Sequence, residues 1–169
     1  MIVRPEFTSD YDAVRVVHLE AFNGTAEARL VDILREHGKA VISLVAELDK
    51  QVIGHVLFSP VTNERASSQT RGLGLAPVAV LPRYQKHGAG SLLIKQGLAL
   101  AREYAYDYVV VLGEPGYYQR FGFQPASRFG LDSAYDAGDA FMALPLKPGA
   151  LELVQGMVYY APEFKEEQV

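Results

Sequence analysis

The most informative absence in this sequence is cysteine, of which there is none. Without cysteine the chain can form no disulfide, no thiolate metal site and no thiol nucleophile, and the composition suits a reducing compartment. Long hydrophobic runs are also missing, because no apolar stretch approaches the roughly 18 residues that a membrane-spanning helix needs. The first ten residues, MIVRPEFTSD, contain no apolar segment of the kind found in secretory signals. We therefore expect a cytoplasmic protein with no membrane partner.

A large charge of either sign is missing as well. The net charge is −4, with 16 Lys and Arg against 20 Asp and Glu, so a nucleic-acid partner is not expected. The four histidines are scattered and show no metal-ligand spacing, so no metal is expected. No GxSxG motif indicates a serine nucleophile. What is present is a chain of 169 residues with 49% hydrophobic residues, which is typical of a single globular domain.

Hydrophobic periodicity in the first half predicts strands and helices. MIVRP is typical of a short strand, and a helix with Thr8 or Ser9 as its N-cap is predicted to end before Asn23-Gly24. A second helix is predicted over 26–37. Residues 40–61 predict two strands around a tight turn at Leu48–Lys50, and a polar loop is expected over 64–72.

The second half of the chain also predicts strands and helices. It predicts a strand over 73–81, a helix over 88–104, a buried strand over 108–113, late strands over 140–146 and 157–160, and a solvated end at 165–169. This order favours an α/β fold with a single mixed, largely antiparallel twisted sheet flanked by helices.

The stretch VAVLPRYQKHGAGSLL, residues 78–93, carries the main chemical signal. An apolar strand ends at a proline, a polar segment follows, and Gly88 and Gly90 stand where a helix is about to begin. The first N–H groups of a helix lack partners within the helix and lie at the positive end of its dipole, so they bind anions such as phosphate. Glycine lets a ligand approach the backbone closely, although a turn that binds nothing would use the same residues.

Two nucleotide-binding motifs do not fit this turn. A P-loop requires GxxxxGK[ST], and the required lysine is missing. The dinucleotide fingerprint GxGxxG requires a third glycine, where this chain has Leu93. Gly72 and Gly74 form another GxG, but they precede a strand instead of following one. Neither kind of nucleotide-binding protein is indicated.

The turn resembles the acyl-CoA-binding segment of the GNAT superfamily of N-acetyltransferases. That family has Arg/Gln-x-x-Gly-x-Gly/Ala between a strand and a helix, and this chain has QKHGAG at 85–90. The family also has a tyrosine four residues before Gly-Phe after the next strand, which corresponds here to Tyr118 and Gly122. The resemblance covers residues 1–148 as one domain, and 149–169 are expected to form a C-terminal extension whose strand packs on the same domain.

The resemblance implies the acyl-CoA N-acyltransferase fold, in which a central parallel strand pair is splayed. Pro77 provides a local reason for such a break, since proline cannot donate to the ladder. It also implies acetyl-CoA as co-substrate, with the pantetheine arm along the backbone of Val78 and Val80 and a strand N–H polarising the thioester carbonyl. The residues implied to hold the pyrophosphate are Gln85, Lys86, His87, Gly88, Ala89, Gly90 and Ser91.

The implied chemistry is acetyl transfer to a primary amine by direct attack in a ternary complex, which agrees with the absence of cysteine. Tyr118 matches the family's general acid, and its neighbour Tyr117 is the alternative. Many relatives carry a carboxylate on the strand before the glycine turn, but residues 73–81 contain none. Glu114, at the end of the next strand, is the first choice as general base, and Glu20 or a water relay are the alternatives.

These residues are consistent with two functions. The first is an N-acetyltransferase acting on a small-molecule or peptide amine, and the second is an acyl-CoA-binding regulatory module of the same fold with little or no turnover. Tyr118 favours the enzyme, whereas the missing strand carboxylate favours the module. The predicted strand at 157–160 can extend the sheet or pair across a homodimer.

Overall fold

The computed structural model describes residues 1–66 and 69–169; two residues of the predicted loop at 64–72 therefore lie outside the described part. The chain forms two compact units. The first contains residues 1–59, 76–100 and 162–169, and the second contains residues 60–75 and 101–161. Among the described residues, no helix is both long enough and apolar enough to span a membrane.

Antiparallel strands form the sheet of the first unit. They are β1 (Ile2–Pro5), β2 (Ile42–Leu48) and the first part of β3 (Gln51–Asn63), with Val3 opposite Ala46 and Val45 opposite His55. The predicted tight turn between β2 and β3 is confirmed, and both Asp49 and Lys50 have positive φ there. The second part of β4 (Gly72–Val80) lies beside β3, because Leu81 N–H donates to the Ile53 carbonyl at 2.8 Å.

Side chains of β3 alternate between helices on the two faces of this sheet. Phe58 lies against α3 (Ala89–Glu103), where a Cβ added to Gly97 would overlap its ring. His55 instead contacts His18 of α1 (Tyr11–Ala21). Because side chains alternate along a strand, odd-numbered residues of this part of β3 face α1, against which α2 (Ala26–Glu36) packs. The buried helical residues of this unit include Val14, Val17, Leu30, Leu34, Leu93 and Ile94.

The first helix begins later than the sequence predicts. A 3-10 turn occupies Thr8–Asp10, and α1 follows from Tyr11 without a side-chain hydrogen bond at its N-cap. The Asp10 carboxylate accepts the Phe7 N–H at 2.7 Å and pairs with Arg4 at 2.8 Å. The prediction of Thr8 or Ser9 as N-cap was therefore wrong, because the ion pair with β1 holds Asp10 in a separate turn.

The end of the chain packs on the first unit. The short helix α5 (Pro162–Glu166) places Glu163, which is 3% exposed, between Lys39 Nζ and His37 Nδ1, each 2.7 Å from the carboxylate. Glu167 pairs with Arg29 of α2 at 2.8 Å. The predicted solvated end at 165–169 is therefore exposed at Lys165, Glu166 and Gln168, while Glu167 is held by a partner that is distant in sequence.

The second unit contains the parallel pair. Here β4 and β5 (Tyr108–Leu112) run parallel, in a register that covers Gly72–Gly74 and Tyr108–Val110. β5 pairs antiparallel with β8 (Phe141–Pro145), which also pairs with the two-residue strand β6 (Gln124–Pro125). The short helix α4 (Pro115–Tyr118) follows β5.

The remaining strands are β7 (Leu131–Ser133) and β9 (Gly156–Tyr159). The predicted late strand exists as β9, and it pairs with the end of β3 in this same chain and with β7. For the described residues the hydrogen-bonded order is β1-β2-β3-β4-β5-β8-β6, with β9 attached to β3. The predicted mixed, largely antiparallel sheet with a parallel pair and flanking helices is confirmed, whereas β6 and β7 were not predicted.

Candidate active site

The predicted phosphate-binding turn is an exposed bend directly before α3. Residues 85–88 are exposed, and Lys86 and Gly88 have φ values of 65° and 92°. A Cβ added to Gly88 would meet no atom within 4 Å, so the left-handed backbone and not a lack of space favours glycine there. The polar segment of the sequence therefore forms a turn that a ligand can reach.

The start of α3 directs backbone donors towards this turn. Leu92 N–H donates to the Gly88 carbonyl at 3.0 Å. The N–H groups of Ala89, Gly90 and Ser91 come before that bond, at the positive end of the helix dipole. Backbone donors at this position suit an anion, and the assignment of residues 85–91 to the pyrophosphate stays a prediction.

Side chains around the turn connect it to its own unit. Gln85 Nε2 donates to the Val80 carbonyl at 3.0 Å, which ties the turn to the end of β4. Arg83 lies 3.6 Å from the carboxylate of Glu20 in the last turn of α1, and both side chains are about half exposed. Glu20, one of the alternatives for a general base, is thus paired with a cation beside the turn.

The backbone of β4 orients the polar groups of Val78 and Val80, whose role in binding pantetheine stays a prediction. Alternate residues of an antiparallel strand direct their N–H and C=O groups to opposite sides. Leu81 N–H points to β3, so the backbone groups of Val80 and Val78 point away from β3. Of these, the Val80 carbonyl is already occupied by Gln85.

The predicted general acid lies in the second unit. Tyr118 ends α4 and is 7% exposed, with its ring 5.8 Å from that of Phe123 and at a steep angle to it. A Cβ added to Gly113 would overlap the Tyr118 ring. Burial, and to a lesser extent Tyr117, raises the pKa of Tyr118 to about 12. The phenol therefore keeps its proton at neutral pH, as a general acid must.

Tyr117, the alternative acid, and Glu114, the first choice as general base, have different surroundings. Tyr117 is half-buried, and the Arg120 guanidinium lies 4.5 Å from its ring centroid. Glu114 is exposed and forms the N-cap of α4, where its main-chain carbonyl accepts the N–H groups of Tyr117 and Tyr118 at 3.1 Å. The structure thus gives Glu114 a structural role through its backbone and leaves its proposed role as a base untested.

Sequence reasoning missed Tyr160, which packs in the second unit close to Tyr118. Its ring occupies the space beside Gly74, and its centroid lies 6.0 Å from that of Tyr135. Burial raises its pKa, and Tyr135 and Tyr118 add to the effect. No feature of the local sequence distinguishes Tyr160 from the exposed Tyr159.

Sequence reasoning also missed a buried polar network in the first unit. His18 Nε2 and His55 Nδ1 lie 2.8 Å apart, and His55 Nε2 lies 2.8 Å from Ser43 Oγ. Ser43 Oγ donates to Glu6 Oε2 at 2.7 Å, and Glu6 is paired with Arg35. Two histidines that appear scattered in the sequence are therefore joined in the core.

The hydrogen bonds assign the protons in this network. Because Ser43 donates its hydroxyl proton to Glu6, its oxygen accepts from His55 Nε2–H, and a neutral His55 then accepts at Nδ1 from His18 Nε2–H. His18 is left with a lone pair on Nδ1, and no described residue partners that buried atom. Burial, with Arg35 as a further cause, lowers the pKa of His18 to about 4; burial, His18 and Arg35 lower that of His55.

Neither a metal-ligand cluster nor the cavity found among the described residues involves the predicted site residues. No group of three or more His, Asp or Glu side chains there is placed to hold a metal ion. A cavity of about 350 Å³ lies in the second unit, and none of the predicted site residues lines it. Its walls are Ser127, Gly130, Leu131, Asp132, Gly138, Asp139 and Phe141.

Comparisons with known proteins match this chain to an acetyltransferase family. The model of the acetyltransferase (GNAT) family matches residues 5–123. The uncharacterized N-acetyltransferase YhbS of Escherichia coli (strain K12) is 37% identical over 166 residues, which cover 97% of this chain and 98% of that protein.

Two solved structures are also similar to this chain over nearly its whole length. A crystal structure of YhbS from Escherichia coli in complex with CoA has a TM-score of 0.90 at 36% identity, covering 97% of this chain and 91% of that one. A GNAT family acetyltransferase from Brucella melitensis in complex with acetyl-CoA has a TM-score of 0.79 at 37% identity, covering 96% and 97%.

Proposed function

Because the chain belongs to the acetyltransferase (GNAT) family, we propose that it transfers an acetyl group from acetyl-CoA to a primary amine of a small molecule or peptide. The complexes of its relatives with CoA and acetyl-CoA support this choice of donor. The observation that carries the proposal is the exposed turn at 85–88, which leads into the N-terminal donors of α3. Phosphate oxygens suit such donors.

The donor would be held mainly by backbone groups of the first unit. The N–H groups of the segment from Gln85 to Ser91 bind the pyrophosphate, and Lys86 and His87 lie beside it on the exposed turn. The backbone edge of Val78 and Val80 that points away from β3 pairs with the amide groups of pantetheine. The Val80 carbonyl already accepts from Gln85 and has a second lone pair for a further donor.

The chemistry needs few groups from the chain. Acetyl-CoA supplies a thioester whose carbonyl carbon is attacked by the neutral amine. Tyr118 donates a proton to the departing sulfur, which its raised pKa allows because the phenol is still protonated at neutral pH. Glu114 remains the first choice to take a proton from the amine, directly or through water.

The direct test is calorimetric titration of the purified protein with acetyl-CoA, with ATP and NAD as controls. Saturable binding of acetyl-CoA alone is expected, since neither nucleotide motif is present. Release of free CoA is then measured with a panel of primary amines. Absence of acetyl-CoA binding would contradict the proposal, and binding without turnover on any amine would favour a regulatory acyl-CoA-binding module.

A further inference from the structure

The second GxG of the sequence, which no nucleotide-binding motif explains, lies at the start of β4 in the second unit. A Cβ added to Gly72 would overlap the ring of Tyr108. In the same way, a Cβ added to Gly74 would overlap the ring of Tyr160. Residues two apart in a strand share a face, and both rings pack with the core cluster that contains Val61. The two glycines therefore let two aromatic rings approach the backbone of β4 closely.

Gly74 is also the residue at which β4 and β5 stop pairing. Their parallel pairing covers three residues of each strand and ends at Gly74 and Val110. The strand β4 nevertheless continues to Val80. The ring of Tyr160 therefore lies at the last paired position of β4, beside the part of the strand that is proposed to pair with the donor.

The surroundings of Tyr160 hold its ring in this position. The residue before it, Tyr159, pairs with Thr62 of β3, which fixes the main chain. The ring centroid of Tyr135 lies 6.0 Å from that of Tyr160, with the two ring planes at 66°. The hydroxyl oxygen of Tyr160 is buried although the residue as a whole keeps some exposed surface. The phenol is thus directed into the unit, and its ring forms a fixed surface.

The position of Gly74 along β4 relates this surface to the proposed donor. Pantetheine is proposed to pair with Val80 and then Val78, and so to run from the phosphate-binding turn towards Gly74. Gly74 lies four residues beyond Val78, which is about 13 Å along an extended strand. Five bonds join the last amide nitrogen of pantetheine to the methyl carbon of an acetyl group, about 6 Å when extended. The roughly 7 Å that remain hold the ring, whose carbon atoms contact a methyl group at about 3.5–4 Å.

Electrostatic interaction with Tyr118 supports this position of the ring. Burial is the main cause that raises the pKa of Tyr160, and Tyr135 and Tyr118 add to the effect. Tyr118 is proposed to give its proton to the sulfur that carries the acyl group. The raised pKa also keeps the Tyr160 phenol neutral, which suits contact with an apolar acyl chain.

We infer that the ring of Tyr160, seated beside Gly74, is the wall that meets the acyl group of the donor and restricts the protein to short acyl chains. The inference rests on the proposed acetyltransferase function and adds a specificity-determining residue to it. An acetyl group fits in front of the ring, whereas the two further methylene groups of a butyryl group would collide with it. Gly74 is part of the same feature, since a larger residue there would displace the ring.

Calorimetric titration of the full-length protein with acetyl-CoA, propionyl-CoA and butyryl-CoA measures this restriction without any acceptor amine. We expect butyryl-CoA to bind about tenfold or more weakly than acetyl-CoA, because extra methylene groups overpack the space in front of the ring. Propionyl-CoA should have an intermediate affinity. Equal affinities for the three donors would overturn the inference.

Three variants test whether the ring of Tyr160 causes the restriction. Tyr160→Leu removes the ring and should bring the affinities for acetyl-CoA and butyryl-CoA within about twofold of each other. Tyr160→Phe keeps the ring and should retain the wild-type ratio. Tyr159→Leu changes the neighbouring residue, which is 42% exposed, and is the matched control. A wild-type ratio in a folded Tyr160→Leu protein, or an equal loss of the ratio in Tyr160→Phe, would overturn the inference.

A measurement on the wild-type protein does not depend on the folding of Tyr160→Leu. The protein is prepared with ¹³C-labelled tyrosine rings, and the signal of Tyr160 is identified by its loss in Tyr160→Phe. With saturating acetyl-CoA we expect a nuclear Overhauser effect between the acetyl methyl protons and the Tyr160 ring. The absence of this effect in the saturated complex would contradict contact between the ring and the acyl group.

The same titrations separate this inference from the proposed function. If acetyl-CoA binds and the affinity does not depend on the length of the acyl chain, the wall formed by Tyr160 is wrong and the donor site stands. If none of the acyl-CoA compounds binds, the proposed acetyltransferase function fails and this inference fails with it.

Discussion

The imidazoles of His18 and His55 meet edge to face in the core, with Nε2 of His18 2.8 Å from Nδ1 of His55 and the ring planes 82° apart. They come from a helix and a strand that are 37 residues apart. Both rings are almost completely buried, at 1% and 0% exposure. Such a pair is stable only while it is neutral, because two imidazolium ions in contact would repel each other in a medium that solvates neither.

This pair should make the fold sensitive to mild acid. In the unfolded chain a histidine takes up a proton near pH 6.5, whereas the pKa of buried His18 is about 4. Since the unfolded state then binds more protons, stability is complete above pH 6.5 and falls as the pH decreases towards 4. The loss from His18 is roughly 3 kcal/mol, and His55 adds to it in the same direction.

Urea unfolding at a series of pH values measures this dependence. His87→Gln removes an exposed histidine of the turn and is the control, which should keep the wild-type slope. A free energy of unfolding that stays constant between pH 6.5 and pH 4.5 would show that the pair is not buried and neutral as the structure has it.

The proposed phosphate-binding turn predicts the effect of Gly90→Val on acetyl-CoA binding. The added side chain would project from the first turn of α3, where the pyrophosphate is proposed to lie, so acetyl-CoA binding should be lost. Valine costs a helix no more than glycine does, and the melting temperature should therefore stay close to that of the wild type. Ala99→Val, an exposed change further along α3, is the control for added bulk. Tight acetyl-CoA binding by Gly90→Val would contradict the proposed site.

Tyr118→Phe should separate chemistry from binding. Without the hydroxyl, no proton reaches the departing sulfur from this residue, and we expect kcat to fall by about 10²–10⁴-fold. The affinity for acetyl-CoA should change little. CoA release with an amine that the wild type acetylates gives kcat, and calorimetry gives the affinity. Tyr117→Phe is the comparison, and if it alone lowers kcat, the acid is Tyr117.

Gly113→Ala should act on Tyr118 indirectly. A methyl group at residue 113 would overlap the Tyr118 ring, so the ring must move and the protein should lose about 1–3 kcal/mol of stability. Turnover should fall as the phenol shifts. Gly116→Ala provides the matched control, since a Cβ there meets no atom within 4 Å. Equal melting temperatures and rates for the two variants would mean that the Tyr118 ring is not fixed by Gly113.

Local sequence patterns predicted most of the regular elements. The helix at Ala26–Glu36, the tight turn after Leu48 and the strand at Tyr108–Leu112 depend on side-chain periodicity and turn residues within a few positions. Two-residue and three-residue strands such as β6 and β7 carry too little periodicity to be recognised. The start of α1 was wrong because Arg4, on a neighbouring strand, decides the position of Asp10.

The polar residues of the protein also include some that a local sequence pattern relates and some that it does not. The proposed phosphate-binding turn is contiguous, so the family resemblance of residues 85–90 was enough to propose it from the sequence. The same resemblance proposed Tyr118 as the general acid, because it stands four residues before Gly122. In contrast, the network of Glu6, Arg35, Ser43, His55 and His18 takes one residue from each of five segments, and no local pattern relates them.

The sequence by itself determined the family and the fold class, and the proposed donor-binding segment also comes from it, because these depend on periodicity and on short contiguous motifs. Only the tertiary structure decided which polar side chains are buried together. That choice depends on helix and strand packing across long separations, through which His18 of a helix and His55 of a strand come into contact in the core. Burial then turns ordinary polar residues into groups that need a partner.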